Sequence, residues 1–218
     1  RNVENNPTKG IWAEAHVSAA PKWLGTSVGH YKFCATMRQY IPLGTPKVVF
    51  AYRLAYQGFF GNAPWYAMPV YTTMGPKPDY DGLGGYRTVR GIMLNRVQGL
   101  HTGFYNAEIR YRFIDFKLFN QNIAFAISGF TDGTHVFKGY DMTMSEAKRA
   151  ELALTAPKKL ALYDTYVHPD KKDGFHGSAG AGLRFIMNEN FIVAFEYARC
   201  FNKQDGNGAF YINIGFLF

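Results

Sequence analysis

Apolar and polar side chains alternate along most of the chain with a period of two, the mark of strands with one apolar face. In 208–218, Phe210, Ile212, Ile214, Phe216 and Phe218 oppose Tyr211, Asn213, Gly215 and Leu217. In 191–200, Phe191, Val193, Phe195 and Tyr197 oppose Ala194, Glu196 and Ala198. Residues 179–187 set Leu183 and Phe185 against Gly182 and Arg184, and 122–131 set Ile123, Phe125 and Ile127 against Asn122, Ala124 and Ser128. Four earlier segments do the same: Ile11 to Ser18, His30 to Arg38, Phe50 to Gln57 and Tyr105 to Phe113. The pattern predicts eight strands in an all-β chain.

One face is apolar and often aromatic; the other mixes small residues with charges. A soluble sandwich and a membrane barrel both give this alternation, with opposite faces wet. Three features favour the barrel. Strand lengths cluster near the ~9–11 residues of a tilted membrane strand. Short connections near 42–46, 118–121 and 187–190 alternate with longer ones near 21–27, 60–104, 132–175 and 202–207. Aromatics crowd the strand ends, as at Tyr40, Phe60, Phe119, Phe191 and Phe201, where a membrane interface would place them. The expected fold is a transmembrane antiparallel β-barrel. Within the second long loop, 145–154 reads as a short helix with Ser145 as its N-cap. Lys158, Lys159, Lys171 and Lys172 make that loop basic, for solubility or for contact with anionic headgroups.

Composition narrows the function. The 218 residues carry 24 Lys and Arg against 16 Asp and Glu, a net charge of +8. The basic residues alternate with large aromatics and form no stripe, which argues against nucleic-acid binding. The chain lacks an initiator Met, which leaves a mature chain or a fragment. Two cysteines cannot staple this length. Cys34 and Cys200 fall on strands that are not neighbours in the expected topology and should be free. His101, His135, His168, Asp170, Asp173 and His176 are candidates for a hydrolase at the barrel rim, but no nucleophile arrangement or metal spacing accompanies them. No catalytic residue, metal or cofactor is expected, and the chain is not expected to be an enzyme.

A set of motifs runs in order along nearly the whole chain. Asn5-Asn6-Pro7-Thr8-Lys9-Gly10 precedes the first strand. Gly84-Gly85-Tyr86-Arg87-Thr88-Val89-Arg90-Gly91 lies in the first long loop. Phe130-Thr131-Asp132-Gly133 closes a strand, Gly180-Ala181-Gly182-Leu183-Arg184-Phe185 sits in another, and the chain finishes on Ile214-Gly215-Phe216-Leu217-Phe218. Together these resemble the C-terminal half of an Omp85-family barrel, the bacterial surface antigens and outer-membrane assembly factors. The runs are similar to that family's NP(T)(R/K)G, VRG(F/Y), FxDxG and GxGxR(F/Y) motifs and to its C-terminal outer-membrane signal. Two departures stand out: Ile92 follows VRG in place of an aromatic, and the FxDxG run is one residue short.

The resemblance implies that residues 1–218 are the last eight strands of a sixteen-stranded barrel in the bacterial outer membrane, a multi-pass location. Loop 60–104 would enter the lumen, and 132–175 would be extracellular. Crowding of long charged side chains on the inner face also favours a wider barrel with strands not present here over self-closure. The implied function is outer-membrane protein assembly, insertion or translocation, with a lateral seam beside the last strand. A passive or gated channel, or a barrel that anchors a fused soluble domain, is the alternative; a rim hydrolase and a soluble all-β domain are less favoured. Implied partners are outer-membrane lipid and lipopolysaccharide, the missing N-terminal strands, unfolded outer-membrane protein clients and accessory lipoproteins. The loop site comprises Gly84, Gly85, Val89, Arg90 and Gly91. Buried in the lumen, Arg90 would need a carboxylate; Asp132 is the first choice, with Glu108 and Glu196 as alternatives, and Arg184 lies nearby on the wall. The C-terminal signal comprises Ile214, Gly215, Phe216 and Phe218.

Overall fold

The computed structural model describes residues 2, 6–26, 28–72, 79–168 and 173–218. Asn5, Asp170, Lys171 and Lys172 lie outside the described residues. Eight long strands form one antiparallel sheet: β1 (Gly10–Ala20), β2 (His30–Leu43), β3 (Thr45–Gly61), β6 (His101–Leu118), β7 (Gln121–Lys138), β8 (Phe175–Met187), β9 (Phe191–Cys200) and β10 (Ala209–Ile214). Two short strands, β4 (Val70–Thr72) and β5 (Asp79–Asp81), pair with each other in the first long loop. The tight connections fall where the alternation breaks. Phe119 and Asn120 both have positive φ, as do Asn188 and Glu189, which is the two-residue hairpin geometry matched to strand twist. The strands run further than the sequence pattern suggested: β6 and β7 are 18 residues each, and β3 is 17. The FxDxG-like run therefore sits inside β7 and not at its end.

The expected transmembrane barrel is not formed. The sheet order is β1-β2-β3-β6-β7-β8-β9-β10. Among the described residues β1 pairs with β2 alone and β10 with β9 alone, so the two edges do not meet. Closure needs edge strands of matched length, tilt and stagger. Here β1 has 11 residues and β10 has six. After Ile214 the backbone turns out of line at Gly215, where φ is +91°. The chain is thus an open eight-stranded sheet, and identification as half of a transmembrane barrel is corrected accordingly. The readings that rested on a barrel fall with it: the outer-membrane multi-pass location, insertion or translocation through a seamed barrel, the channel and the barrel anchor. Among the described residues no helix is long and apolar enough to cross a membrane.

The two faces of the sheet are unlike. Arg53, Asn106, Glu108, Asp132, Arg184 and Glu196 are buried on one face, while Ile109, Ile127, Leu183, Phe195 and Ile212 are exposed on the other. Two things cover the polar face. One is the loop between β3 and β6, from which Tyr71 and segment 82–97 pack onto that face. The other is the tail after β10, where Phe218 packs on Tyr40, Val49 and Ala51 and Phe216 packs on Ala124, Ala126, Ile186 and Ile192. The last strand was expected to run on to Phe218 with Ile214, Phe216 and Phe218 on one face. Instead Ile214 is exposed and Phe218 buried, because the turn at Gly215 carries the tail under the sheet.

The helix expected over 145–154 is α1 (Glu146–Thr155); the Ser145 hydroxyl accepts from the Lys148 amide. A second helix, α2 (Pro157–Tyr166), follows directly, with proline at its first position, where its missing N–H costs nothing. Neither helix buries a residue.

Candidate functional site

The site is built from a loop over 82–97 and the strands beneath it. Glycines let the loop double back on itself. Gly84 has a φ of +114°, and a Cβ there would stand 2.0 Å from the Met93 carbonyl oxygen. Gly91 has a φ of +87° and packs against Ala198 of β9, with a Cβ placed 3.1 Å from that residue's own. The Thr88 hydroxyl accepts from the Gly84 amide at 2.9 Å and donates to the Gly84 carbonyl at 2.8 Å. The Gly85 amide reaches the Ile92 carbonyl at 2.8 Å. Val89, Ile92, Leu83 and Val97 then bury against Tyr71, Phe104, Val136 and Cys200. Ile92, which replaces the aromatic of the motif, is 1% exposed in that cluster.

Sheet register places the receiving side chains. Neighbouring strands align Arg53, Asn106, Asp132, Ser178 and Cys200 in one row. The next same-face row is Ala51, Glu108, Phe130, Gly180 and Ala198, and the one after is Val49, Arg110, Ser128, Gly182 and Glu196. Arg90 descends onto these rows. Its Nε meets Asp132 Oδ2 at 2.8 Å and its Nη2 meets Oδ1 at 3.1 Å, a two-point grip. Its own amide adds a third bond to Oδ2 at 3.0 Å. Nη1 donates to Glu108 at 3.2 Å and to Glu196 at 2.9 Å. The guanidinium lies 3.4 Å from the Phe130 ring centroid. That ring needs the glycine at 180, where a Cβ would come within 2.4 Å of it. The run without the extra residue after Asp132 still delivers the carboxylate to Arg90.

Arg184 ties the carboxylates together, with Nη2 at 2.7 Å from Glu108 and 2.6 Å from Glu196. Arg110 reaches Glu108 at 3.1 Å. Arg90, Asp132, Glu108 and Glu196 are each at most 2% exposed. Burial works against the Glu108 charge, but the guanidiniums of Arg184, Arg110 and Arg90 outweigh it and hold that carboxyl down to about 2. Burial likewise opposes the Arg90 charge, and Asp132, Glu108 and Glu196 raise it above its ordinary value. Glu108 and Arg90 therefore both stay charged throughout the ordinary pH range.

The motif residues come together with partners that the motifs do not name. Arg53 donates to the Arg87 carbonyl at 2.8 Å and to Asn106 at 2.8 Å, and Asn106 donates to the Thr88 carbonyl at 2.7 Å. The Ser178 hydroxyl donates to the Arg90 carbonyl. The Gly91 amide donates to the Tyr211 hydroxyl at 2.9 Å, which links the loop to β10. Alternation puts Arg53 and Asn106 on the polar face; only the register reveals that they share a row with Asp132. Ile214 and Gly215 lie apart from this site.

Among the described residues the candidate rim side chains do not form one cluster. His101 bonds the Tyr56 hydroxyl at 2.7 Å, His135 stacks edge-on against Phe137, and His168 is exposed. His176 and Asp173, two of these candidates, meet in a polar cluster with Asp205, with 2.9 Å contacts from His176 to each. Among the described residues no group of three His, Cys, Asp or Glu side chains could hold a metal ion. Cys34 and Cys200 are buried and are not joined to each other.

No curated protein matches the chain. A family model described as the Omp85 superfamily domain matches residues 1–218. The barrel that the sequence motifs implied is absent from this open sheet, but the match spans the whole chain, which therefore belongs to the Omp85 superfamily.

Proposed function

We propose that residues 1–218 act as one non-catalytic docking module, in which loop 82–97 braces the polar face and keeps the open sheet edges in a fixed shape for protein partners. Omp85-family proteins are non-catalytic transport and assembly factors, and this chain is not an enzyme. Membership also brings association with outer-membrane components and client proteins. The observation that carries the proposal is the burial of Arg90 against three carboxylates from three different strands. One loop side chain thereby ties β6, β7 and β9 together, and Tyr211 extends the tie to β10. Gly84, Gly85, Val89 and Gly91 serve that role by shaping the loop, and Arg184 serves it by holding Glu108 and Glu196 in place.

The partners that fit are extended segments, either unfolded outer-membrane clients or further strands. They would add to the edges of β1 or β10 through backbone hydrogen bonds, which require no particular side chain. Accessory lipoproteins would meet the same edges. Lipopolysaccharide phosphates suit the exposed Lys148, Lys158 and Lys159 of the helix pair.

The test is photocrosslinking from a probe at Ala15 on the β1 edge, in the protein at its native level, with and without Arg90→Ala. Arg90→Ala is expected to cut the yield of client adducts severalfold while strand content is kept. Undiminished adducts from a folded Arg90→Ala protein would overturn the bracing role.

A further inference from the structure

Arg110 is less fully hydrogen-bonded than Arg90. Arg90 engages all three of its nitrogens, and it does so with carboxylates. Arg110 has one carboxylate contact, Nε to Glu108 Oε1 at 3.1 Å, and Arg184 shares that oxygen at 2.7 Å. Its Nη2 reaches the Phe218 carbonyl at a long 3.3 Å. Its Nη1 is buried and has no hydrogen-bond partner. The residue is 5% exposed, and a buried donor left unmade costs more than an average hydrogen bond gains. Burial pushes the guanidinium below its ordinary value; Glu108 pulls it back, and the like charge of Arg184 lowers it further. The Phe216 ring centroid stands 4.0 Å from the guanidinium carbon, an electron-rich face beside it.

Arg110 also lines a cavity of about 620 Å³ at the end of the sheet away from loop 82–97. Lys47, Arg112 and Lys117 join it around the cavity, against Asp115 and Glu189, so four cations face two carboxylates. The carboxylates are already engaged: Lys47 meets Asp115 at 2.9 Å, and Arg112 pairs with both Asp115 and Glu189. The remaining wall is apolar, from Val49, Phe116, Ile123 and Ile186. Most ligand sites are apolar cavities of this size class with a few convergent polar groups.

We propose that this cavity binds a small amphiphilic anion, with a phosphate or carboxylate head on Arg110 and a short apolar chain along the Val49–Ile186 wall. The head supplies the acceptor that Nη1 lacks, and the mouth lysines draw it in. Phe216 and Arg110 line the same cavity.

Calorimetric titration of the full chain with octyl phosphate, inorganic phosphate and octyl glucoside tests this. Octyl phosphate is expected to bind one to one, at least about tenfold more tightly than inorganic phosphate, since each buried methylene adds favourable transfer energy. Octyl glucoside is expected not to compete. Arg110→Gln should weaken octyl phosphate by about tenfold or more, the loss of a charge-assisted bond. Lys47→Gln with Lys117→Gln, both at exposed positions, should weaken it severalfold and flatten its dependence on salt. If circular dichroism shows that Arg110→Gln does not fold, the lysine pair decides alone. Equal binding of octyl glucoside overturns the anion head, equal binding of inorganic phosphate overturns the apolar chain, and unchanged affinity in the folded variants, or no binding at all, overturns the site.

Discussion

The two long loops of this chain are similar in length and end differently. The first, between β3 and β6, is drawn onto the polar face, where its segment 82–97 is buried and charge-paired. The second, between β7 and β8, stands away as two helices that bury nothing. Its two helices hold each other: Arg149 pairs with Asp164 at 2.8 Å, and the Tyr163 hydroxyl serves Met142 and Met144. Length does not separate the two. The first loop carries glycines that permit close return, apolar side chains that sink between strands, and one arginine with three carboxylates waiting below. The second carries helix formers and exposed lysines. A loop is pinned when the surface beneath it has an unmet charge that the loop alone can meet.

The comparison breaks most easily at Arg90. Arg90→Ala leaves Asp132, Glu108 and Glu196 buried with fewer cations, and removing one member of a buried pair costs about 3–5 kcal/mol. Chemical denaturation of the two single variants and the double variant at Arg90 and Asp132 should give a coupling of at least about 1 kcal/mol. Additive losses would mean that the loop is held by its apolar residues alone. Next in size is the acid response. Glu108 sits at about 2 when folded, against an ordinary value of 4.5. Its ion pairs therefore contribute fully above pH 4.5, and the contribution fades as pH falls from there toward 2. A Glu108→Gln variant should lose this slope, and a wild-type denaturation midpoint flat from pH 5 to pH 3 would contradict the pairing.

Sequence and structure agree unevenly, for physical reasons. The strands were legible because alternation is local. So were the hairpin turns and the Ser145 cap, each set by a few adjacent residues. Sheet closure was not, because it depends on whether β1 and β10 can meet. The six-residue length of β10 and the turn at Gly215 are not legible as such in a run that keeps alternating to Phe218. The loop glycines and Arg90 stood out as a motif, and its candidate carboxylates were named with it. Arg53 and Asn106 fell on the polar face but were not tied to the loop, and Ser178 lay outside the expected strand, because their common row exists only through register across four strands. The second helix was passed over, as its lysines read as simple charge.

Gly91→Ala is a smaller perturbation that sharpens the contrast. It puts a Cβ at positive φ and within 3.1 Å of Ala198, and such a change costs about 1–3 kcal/mol. Its effect should reach past the loop. The Gly91 amide holds Tyr211, so the amides of β10 should exchange faster in the variant. Protection unchanged in β10 would show that the loop and the edge strand are independent.

The smallest effect is expected at the second loop, and there the locality of the change matters more than its size. Ser145→Ala removes the acceptor for the Lys148 amide, worth about 1 kcal/mol of helix stability. Since α1 and α2 bury no residue, that loss should stay within them. Hydrogen exchange at 146–155 should quicken severalfold while the amides of β6 and β7 and the global denaturation midpoint stay put, because regions joined by few buried contacts open independently. A midpoint that fell together with the helix would mean that the helix pair is coupled to the sheet after all. The division between a pinned loop and a free one would then have to be redrawn.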